Sequence, residues 1–304
     1  MPQNKKISIL IPVYNREKAI ISAVECAVKQ TYKNKEIICV DNASTDNTWN
    51  VLQELEQKYP QIIISRNQEN LGPVKNWFRA LELSSGDYIK FLWSDDEMTA
   101  DCIEKLAAGF EREIAFSYSI TTVHNVDENT NQDYYHLGKT GFYPSEFFVQ
   151  ATFSDNYSTP VSPGCALFSR KAVMDNLKLT FENDMNLNFP RYGAGNDLYL
   201  FLQSTKDYTE IYFVNEPLSI FNNGNDSLSG VHKLDSYYAF IRSMFLNDNK
   251  KKYPQEYNKY LTMLKFSDNK EYQHIAKKYR FRIDGKIMYM VLKERIKNRL
   301  SSVK

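Results

Sequence analysis

The first hundred residues alternate between short apolar runs and longer stretches with helical periodicity. The apolar runs, each of strand length, are Ile7–Val13, Glu36–Val40, Ile62–Ser65 and a fourth that begins at Tyr88. Helical patterns lie between them. The first extends from about Glu17 to Lys29, the second follows Asp41–Asp46 and ends at about Lys58, and the third extends from Val74 to Leu83. Such alternation is typical of parallel strands joined by crossover helices. We therefore expect an α/β fold with a mostly parallel central sheet flanked by helices.

Polar residues follow each predicted strand. Tyr14 and Asn15 follow the first strand, Asp41 the second, Asn67–Gly72 the third and Asp95 the fourth. Ligands bind at the carboxyl ends of strands in open α/β sheets, and an ionised Asp accepts hydrogen bonds from base or ribose donors. The pattern predicts a ligand site at this edge of the sheet. For Asp41, a role as a turn residue before the next helix is the alternative.

Carboxylates are concentrated after the fourth strand, in the run Ser94-Asp95-Asp96-Glu97. Carboxylates at this edge can hold a hard divalent cation against a substrate phosphate. The alternative is a helix cap, because Ser and Asp are good N-caps and acidic residues suit the first helical turn. The chain has neither GxGxxG after its first strand nor GxxxxGK followed by Ser or Thr, which disfavours a dinucleotide fingerprint and a P-loop.

Four ordered motifs resemble those of family 2 glycosyltransferases. They are Ile-Pro-Val-Tyr-Asn at 11–15, Val-Asp-Asn-Ala-Ser-Thr-Asp at 40–46, Asn-Leu-Gly at 70–72 and Gly-Asp-Tyr-Ile-Lys-Phe-Leu-Trp-Ser-Asp-Asp at 86–96. The resemblance implies a GT-A fold, a nucleoside-diphosphate sugar donor, a divalent metal (Mn²⁺ or Mg²⁺) and inversion at the anomeric carbon. It also implies a glycan or lipid-linked acceptor, most often in the biosynthesis of a surface polysaccharide.

The resemblance implies roles for individual residues on the donor side. Val13, Tyr14 and Asn15 fall where such enzymes surround the nucleoside, and Asp41 falls where a carboxylate reads the base. Asp95 matches the last acid of the family's DXD motif, which most often touches the metal. The other residues predicted to contact the donor nucleotide are Pro12, Asn70, Gly72, Lys75 and Ser94.

Two features depart from the family's metal site. Trp93 stands at the first DXD position, where the family has an acid, and the adjacent Asp96 is a candidate to supply the missing charge or to serve the acceptor. Family members also often carry a His in a later loop that completes the metal shell. Asn225 is the nearest position here, and His232 is a second candidate, for which an ordinary surface role is the alternative.

The second half contains the predicted catalytic base. Ser162–Arg170 resembles the family's segment beneath the acceptor site, and Tyr192–Leu202 places Asp197 at the opening of an apolar helix. The family usually has two acids there, of which the second acts as base; Asn196 replaces the first. A positioned base accelerates attack by an acceptor hydroxyl by roughly 10²–10⁴-fold. The alternative for Asp197 is a helix N-cap.

Composition favours a cytoplasmic globular enzyme. The 304 residues are 42% hydrophobic and 25% charged, and a net charge of +1 argues against a nucleic-acid partner. The 4 cysteines show no CxxC spacing and predict free thiols in a reducing compartment. We expect neither a signal peptide nor a membrane span.

The end of the chain is basic. In Lys277–Lys304 an apolar stripe that begins at Ile287–Leu292 is surrounded by Lys and Arg, and such a helix can lie peripherally on an anionic membrane. It can equally dock on the catalytic domain or on a second subunit of a homo-oligomer. We expect a catalytic domain over 1–230, with a nucleotide half to about 98 and an acceptor half from about 99, and a helical extension over 231–304.

Two other functions remain open at this point. A catalytically degenerate protein that binds the nucleotide sugar without turnover would account for the departures at Trp93 and Asn196. A different metal-dependent phosphotransfer enzyme, such as a nucleotidyltransferase, would also use carboxylates at strand ends.

Overall fold

The computed structural model of the chain describes residues 5–224 and 234–301, with side chains to residue 293. The chain forms two compact units. One comprises the described parts of Met1–Phe181 and Asn188–His232, and the other those of Glu182–Leu187 and Lys233–Lys304. The predicted domain boundary at residue 230 stays a prediction.

The first unit is built on one sheet, in which the described residues form ten strands. The strands are β1 Ile7–Val13, β2 Lys35–Asp41, β3 Ile62–Arg66, β4 Tyr88–Phe91, β5 Glu97–Met98, β6 Phe116–Asn125, β7 Thr130–Tyr134, β8 Gly141–Pro144, β9 Ala166–Ser169 and β10 Glu210–Asn223. Their order is β3-β2-β1-β4-β9-β6-β10-β5, while β7 pairs with β6 and β8 with β10. The predicted α/β fold with a central sheet is confirmed.

The parallel part of the sheet is its N-terminal half. Strands β3, β2, β1 and β4 are all parallel, and Ile9 of β1 lies between Ile37 of β2 and Lys90 of β4. Beyond β4 the sheet is mixed, because β9 runs antiparallel to both β4 and β6 whereas β10 is parallel to β6. The carboxyl ends of β1, β2 and β4 therefore meet at one edge.

Helices cover both faces of this sheet. They are α1 Ala19–Val28, α2 Thr48–Lys58, α3 Pro73–Leu83, α4 Cys102–Ala107, α5 Ser145–Thr152, α6 Arg170–Asn176, α7 Phe189–Tyr192 and α8 Asn196–Asp207. Successive strand residues point to opposite faces, so Ile9 and Ile11 join one buried cluster with residues of α1 and α2, whereas Leu10 joins another with residues of α3 and α8. Burial on both faces explains why β1 and β2 are almost continuously apolar.

The second unit consists of helices α9 Asp235–Asp248, α10 Pro254–Phe266, α11 Lys270–Lys277 and α12 Gly285–Ser301. Phe245, Leu261 and Ile275 are buried within it. The apolar stripe predicted within the basic end of the chain falls on α12, where Tyr289 is 65% and Met290 51% exposed. In the part of the chain that the structure describes, no helix combines the length and the apolarity needed to cross a membrane.

Candidate active site

The first and second motifs are bonded to each other at the ends of β1 and β2. Asn15 adopts a left-handed φ of 52°, which Asn tolerates better than most residues. Its backbone N–H donates to Ser44 Oγ at 2.9 Å, and its side-chain oxygen accepts from the N–H of Thr45 at 2.9 Å. Tyr14, which precedes it, is 40% exposed. These bonds fix the chain beside an aromatic ring that is open to a ligand.

Asp41 ends β2 and its side chain is fully buried. The carboxylate accepts from the N–H of Ser44 at 3.1 Å and from Ser44 Oγ, and it lies 3.0 Å from Arg66 Nε. The proposed turn role is therefore real. Because the side chain has no exposed surface, a ligand would reach this carboxylate only after the chain around it moves.

The third motif is held by amide side chains. Asn42 Oδ1 accepts from Asn67 Nδ2 at 3.0 Å and from the N–H of Leu71 at 2.9 Å, while Asn42 Nδ2 donates to Asn70 Oδ1 at 2.9 Å. Asn70 thus shapes the loop from within. The sequence placed Asn67 at this edge and Asn42 within the second motif, but it did not predict that these two amides hold the loop.

Two other residues predicted to bind the donor lie close to this loop. Gly72 has a φ of 81°, and a Cβ there would lie 3.0 Å from the carbonyl oxygen of Pro190. A side chain at this position would therefore be strained and crowded. Lys75 is exposed on the first turn of α3. The structure thus gives Gly72 a role in packing and leaves Lys75 open to solvent.

The acidic run of the fourth motif does not cap a helix, so that alternative was wrong. Residues 94–96 lead into strand β5, which begins at Glu97, and α4 starts only at Cys102. The carboxylate of Asp95 is 32% exposed, and its Oδ2 lies 3.1 Å from Arg16 Nε. Ser94 is buried beside it. Asp95 is therefore the member of the run that presents its charge toward the edge of the sheet.

Asp96 points elsewhere. Its side chain is 6% exposed, and Oδ1 accepts from the backbone N–H of Asn222 at 3.0 Å. Burial, reinforced by the neighbouring Asp95 charge, raises the pKa of Asp96 well above its usual value. A buried carboxyl group engaged by the β10 backbone ties the motif to that strand and makes a poor second metal ligand.

Trp93 is bound on both sides by the protein. Its Nε1 donates to Ser162 Oγ at 2.8 Å, and its ring centroid lies 5.1 Å from that of Trp77. Ser162 begins the segment predicted to lie beneath the acceptor. The residue that replaces the first DXD acid therefore connects the donor motif to that segment.

Asp197 lies in the first turn of α8 and is 8% exposed. Its Oδ1 accepts from the N–H groups of Gly195 at 2.8 Å and Leu198 at 2.7 Å, but the N-cap of α8 is Gly195, so the alternative of an Asp197 N-cap was wrong. Asn196 is fully buried and its Nδ2 donates to the carbonyl oxygens of Lys178 and Leu179 at 2.7 and 3.1 Å. Asn196 supports the fold rather than the chemistry.

Tyr135 is a residue near Asp197 that sequence reasoning missed. Burial raises the pKa of its hydroxyl, and the nearby Cys165 thiol and Asp197 carboxylate add to that effect. Its φ of 70° is unusual for a residue with a side chain. Nothing in the local sequence distinguishes Tyr135 from the other aromatic residues around it.

The residues present fit a metal held mainly by its substrate. Within the described residues, no three His, Cys, Asp or Glu side chains are grouped so that they could hold a metal ion. Mg²⁺, however, is commonly bound by one or two carboxylates together with substrate phosphates, and Asp95 can serve as that one carboxylate. Asn225 and His232, the two predicted candidates for a further ligand, lie outside the described residues.

The comparisons with known proteins agree with this architecture. The sequence model of glycosyl transferase family 2 matches residues 8–177, more than half of the chain. The chain therefore belongs to that family, whose members are transferase enzymes that typically use a divalent metal. All of the predicted donor-side residues lie within the match.

Two relatives match different lengths of the chain. Glycosyltransferase GlyA of Streptococcus pneumoniae is 26% identical over 241 residues, which cover 79% of this chain and 34% of that protein. The Escherichia coli enzyme WfaP, named UDP-Glc:alpha-D-GlcNAc-diphosphoundecaprenol beta-1,3-glucosyltransferase, is 39% identical over 114 residues, which cover 37% of this chain and 45% of that protein. The chain thus spans less than half the length of either relative.

Solved structures show the same fold. The crystal structure of Staphylococcus aureus TarS in complex with UDP-GlcNAc superposes with a TM-score of 0.65 at 16% identity, covering 84% of this chain and 72% of that chain. At this level of identity the likeness concerns the fold, and it confirms the predicted GT-A architecture.

Proposed function

We propose that this protein transfers a sugar, with inversion, from a nucleoside-diphosphate sugar to a hydroxyl of a glycan or lipid-linked acceptor during the assembly of a surface polysaccharide. The observation that carries the proposal is the contact between Arg16 and Asp95, 3.1 Å apart. It brings a cation from the first motif and a carboxylate from the fourth to the edge of the sheet where β1 and β4 end. A diphosphate and its metal need both charges within reach.

The donor nucleotide is assigned to the ends of β1 and β2. Val13, Tyr14 and Asn15 would surround the nucleoside, with Asp41 accepting a hydrogen bond from the base or ribose. The name of WfaP, which is 39% identical to this chain over 114 residues, makes UDP-glucose the first donor to test. That name also supports a diphosphate-linked lipid as acceptor.

The leaving diphosphate is assigned to Asp95 and Arg16. A bound Mn²⁺ or Mg²⁺ would supply charge stabilisation to the leaving diphosphate, worth several kcal/mol in comparable reactions. Asp95 would orient the metal and Arg16 would face the phosphate oxygens. Because Asp96 is directed toward the Asn222 backbone, the diphosphate itself would complete the coordination.

Asp197 is assigned as the catalytic base. An acceptor hydroxyl is a weak nucleophile until a positioned group takes its proton. The two backbone N–H groups that bind Asp197 Oδ1 hold the carboxylate in one orientation, as the base of an inverting reaction requires. The proton would pass to Asp197 as the acceptor oxygen forms its bond to the anomeric carbon and the bond to the diphosphate breaks.

We also propose that the protein acts at the cytoplasmic face of a membrane through α12. Tyr289, Met290 and Leu292 are exposed on this helix, together with the basic Lys286 and Lys293. The apolar side chains are spread around α12 rather than gathered on one face, so binding would depend mainly on attraction between its basic residues and an anionic bilayer.

The proposal is tested by a product assay. Purified protein is incubated with UDP-glucose and other nucleotide sugars, Mn²⁺ and extracted glycolipids, and the product is identified by mass spectrometry and its anomeric configuration by NMR. We expect a β-linked product from an α-linked donor, and no product with Asp197→Asn. A retained α-configuration would contradict the mechanism.

A second candidate is a binding protein without turnover. It is favoured by Trp93, which stands in the place of an acid, and by the finding that no three His, Cys, Asp or Glu among the described residues are grouped to hold a metal ion. Donor hydrolysis separates the two functions: an enzyme releases nucleoside diphosphate slowly even without acceptor, whereas a binding protein releases none with or without acceptor.

A further inference from the structure

We propose that Trp93 is a positioning residue for Asp197, acting through Trp77 and Gly193. The inference rests on the proposed function insofar as Asp197 is the base. It assigns a purpose to the tryptophan that stands where related enzymes carry the first DXD acid.

The first step is the fixed position of Trp93 itself. Its indole N–H donates to Ser162 Oγ at 2.8 Å, and Gly164 lies so close that a Cβ there would be 3.0 Å from Nε1. Its ring lies 5.1 Å from Trp77 and 5.9 Å from Phe91, measured between centroids. Aromatic pairs at these distances contribute roughly 0.5–1.5 kcal/mol beyond their buried area in other proteins, so the ring is held firmly.

The second step leads from Trp77 to Gly193. A Cβ built on Gly193 would lie 2.5 Å from Cη2 of Trp77, so the indole occupies the space of a side chain at position 193. Gly193 has a φ of 69° and its N–H donates to the carbonyl oxygen of Phe189 at 2.9 Å, which closes α7. Trp77 therefore sets where the chain leaves α7.

The third step leads from Gly193 to the base. Gly195, two residues on, also has a positive φ, of 86°, and its N–H donates to Asp197 Oδ1 at 2.8 Å. Glycine takes such angles with little strain, so these two residues turn the chain directly from α7 into α8. A displacement of the Trp77 ring would be passed to Asp197 within four residues.

This arrangement explains why an acid is not required at position 93. A carboxylate there would replace the ring that packs against Trp77 and Phe91, and a charge beside apolar rings in this half-buried position is unfavourable. Trp93→Asp should therefore fail to rebuild a second metal ligand and should loosen the base instead. If the tryptophan were merely a lost ligand, Trp93→Asp would instead restore a metal ligand and leave the position of Asp197 unchanged.

The direct test is hydrogen exchange of the peptide that spans residues 193–198. We compare the wild type with Trp93→Asp, Trp93→Phe and Ser162→Ala, and we use Phe142→Leu as control, since Phe142 packs against Tyr212 in strands β8 and β10. Trp93→Asp should speed exchange in this peptide by about tenfold or more through easier local opening. Ser162→Ala should have a smaller effect in the same direction, and Trp93→Phe, which keeps a ring against Trp77, should be nearest to wild type.

Kinetics provide the second readout. Trp93→Asp should lower kcat for transfer by about 10- to 100-fold, part of the loss expected when a general base is misplaced, while KM for the donor and the Mn²⁺ affinity stay within about twofold of wild type. Trp93→Phe should recover most of kcat. If the wild type shows no transfer at all, the proposed function fails, but the exchange experiment still decides whether Trp93 positions residues 193–198. Unchanged exchange in Trp93→Asp, or tighter Mn²⁺ binding with a higher kcat, would overturn the inference.

Discussion

Arg16 and Asp95, 79 positions apart in the sequence, form an ion pair with 3.1 Å between Nε and Oδ2. Both side chains are partly buried, at 24% and 32% exposure. The pair joins the first motif to the acid assigned to the metal. Consequently, any cation that binds Asp95 must compete with the Arg16 guanidinium or share the carboxylate with it.

This competition predicts that Arg16→Gln binds Mn²⁺ more tightly than the wild type in the absence of nucleotide. Partly exposed ion pairs are worth up to about 1 kcal/mol, so the gain should be no more than about fivefold. Titration calorimetry with Mn²⁺ measures it, and Arg79→Gln, which removes a surface pair with Glu82, is the matched control. Weaker Mn²⁺ binding by Arg16→Gln alone would show that the arginine supports the site instead.

The donor assignment predicts different losses at the ends of β4 and β2. Asp95→Asn should weaken binding of nucleoside diphosphate with Mn²⁺ and leave binding of the nucleoside unchanged. Asp41→Asn should weaken both, because it alters an acceptor that the base or ribose would use while keeping the shape of the side chain. Calorimetry with uridine and UDP, with and without metal, separates these effects. Unchanged affinities in both variants would disprove the assignment.

Asp197→Asn is expected to lower the transfer rate by at least roughly 10², the loss typical of a missing general base, while donor binding survives. The amide oxygen can still accept from the N–H groups of Gly195 and Leu198, so the fold of the loop should be kept. Single-turnover kinetics beside a melting curve test this. Near-normal turnover would remove Asp197 from the mechanism.

The buried Asp96 predicts a pH dependence of stability. Because burial and the Asp95 charge raise its pKa in the folded state, the folded protein binds this proton more strongly than the unfolded chain does. The stabilising contribution is complete below about pH 4, the ordinary range of Asp, and is lost as the pH rises through the raised pKa. The melting temperature of Asp96→Asn, relative to that of the wild type, should therefore increase as the pH rises from 4 to 8. A constant difference across that range would contradict the raised pKa.

The membrane proposal predicts that removal of residues from Lys286 onward releases the protein from anionic vesicles. Each basic residue near such a surface contributes about 1 kcal/mol, and insertion of apolar side chains adds to it. Tyr289→Ser should weaken binding in the full chain, whereas Tyr157→Ser, which changes another exposed tyrosine, should not. Sedimentation with vesicles at low and high salt is the measurement. A full-length chain that stays in the supernatant at both salt concentrations would exclude this role for α12.

Much of the architecture was predictable from local sequence patterns. The predicted strand Ile7–Val13 is observed with the same bounds, and the predicted helix from about Glu17 to Lys29 is observed as Ala19–Val28. These elements are predictable because strand and helix periodicities depend on neighbours a few residues apart. The sequence also predicted that Asp41 and Asp95 lie at the same edge, since parallel strands end on the same side of a sheet.

Pairings between distant residues could not be read in this way. Three such pairings are observed. Strand β9 inserts antiparallel between β4 and β6, Asp96 turns toward Asn222, and Trp93 contacts Ser162. Each of them depends on segments that are far apart in the sequence. Which way a side chain points there is decided by packing and by the need of buried polar groups for partners. The sequence alone therefore determined the fold class, the family motifs and the candidate base Asp197. Only the tertiary structure decided that Trp93 packs against Trp77 and that Asp95 forms an ion pair with Arg16, because those outcomes depend on chain segments that approach each other only in the folded protein.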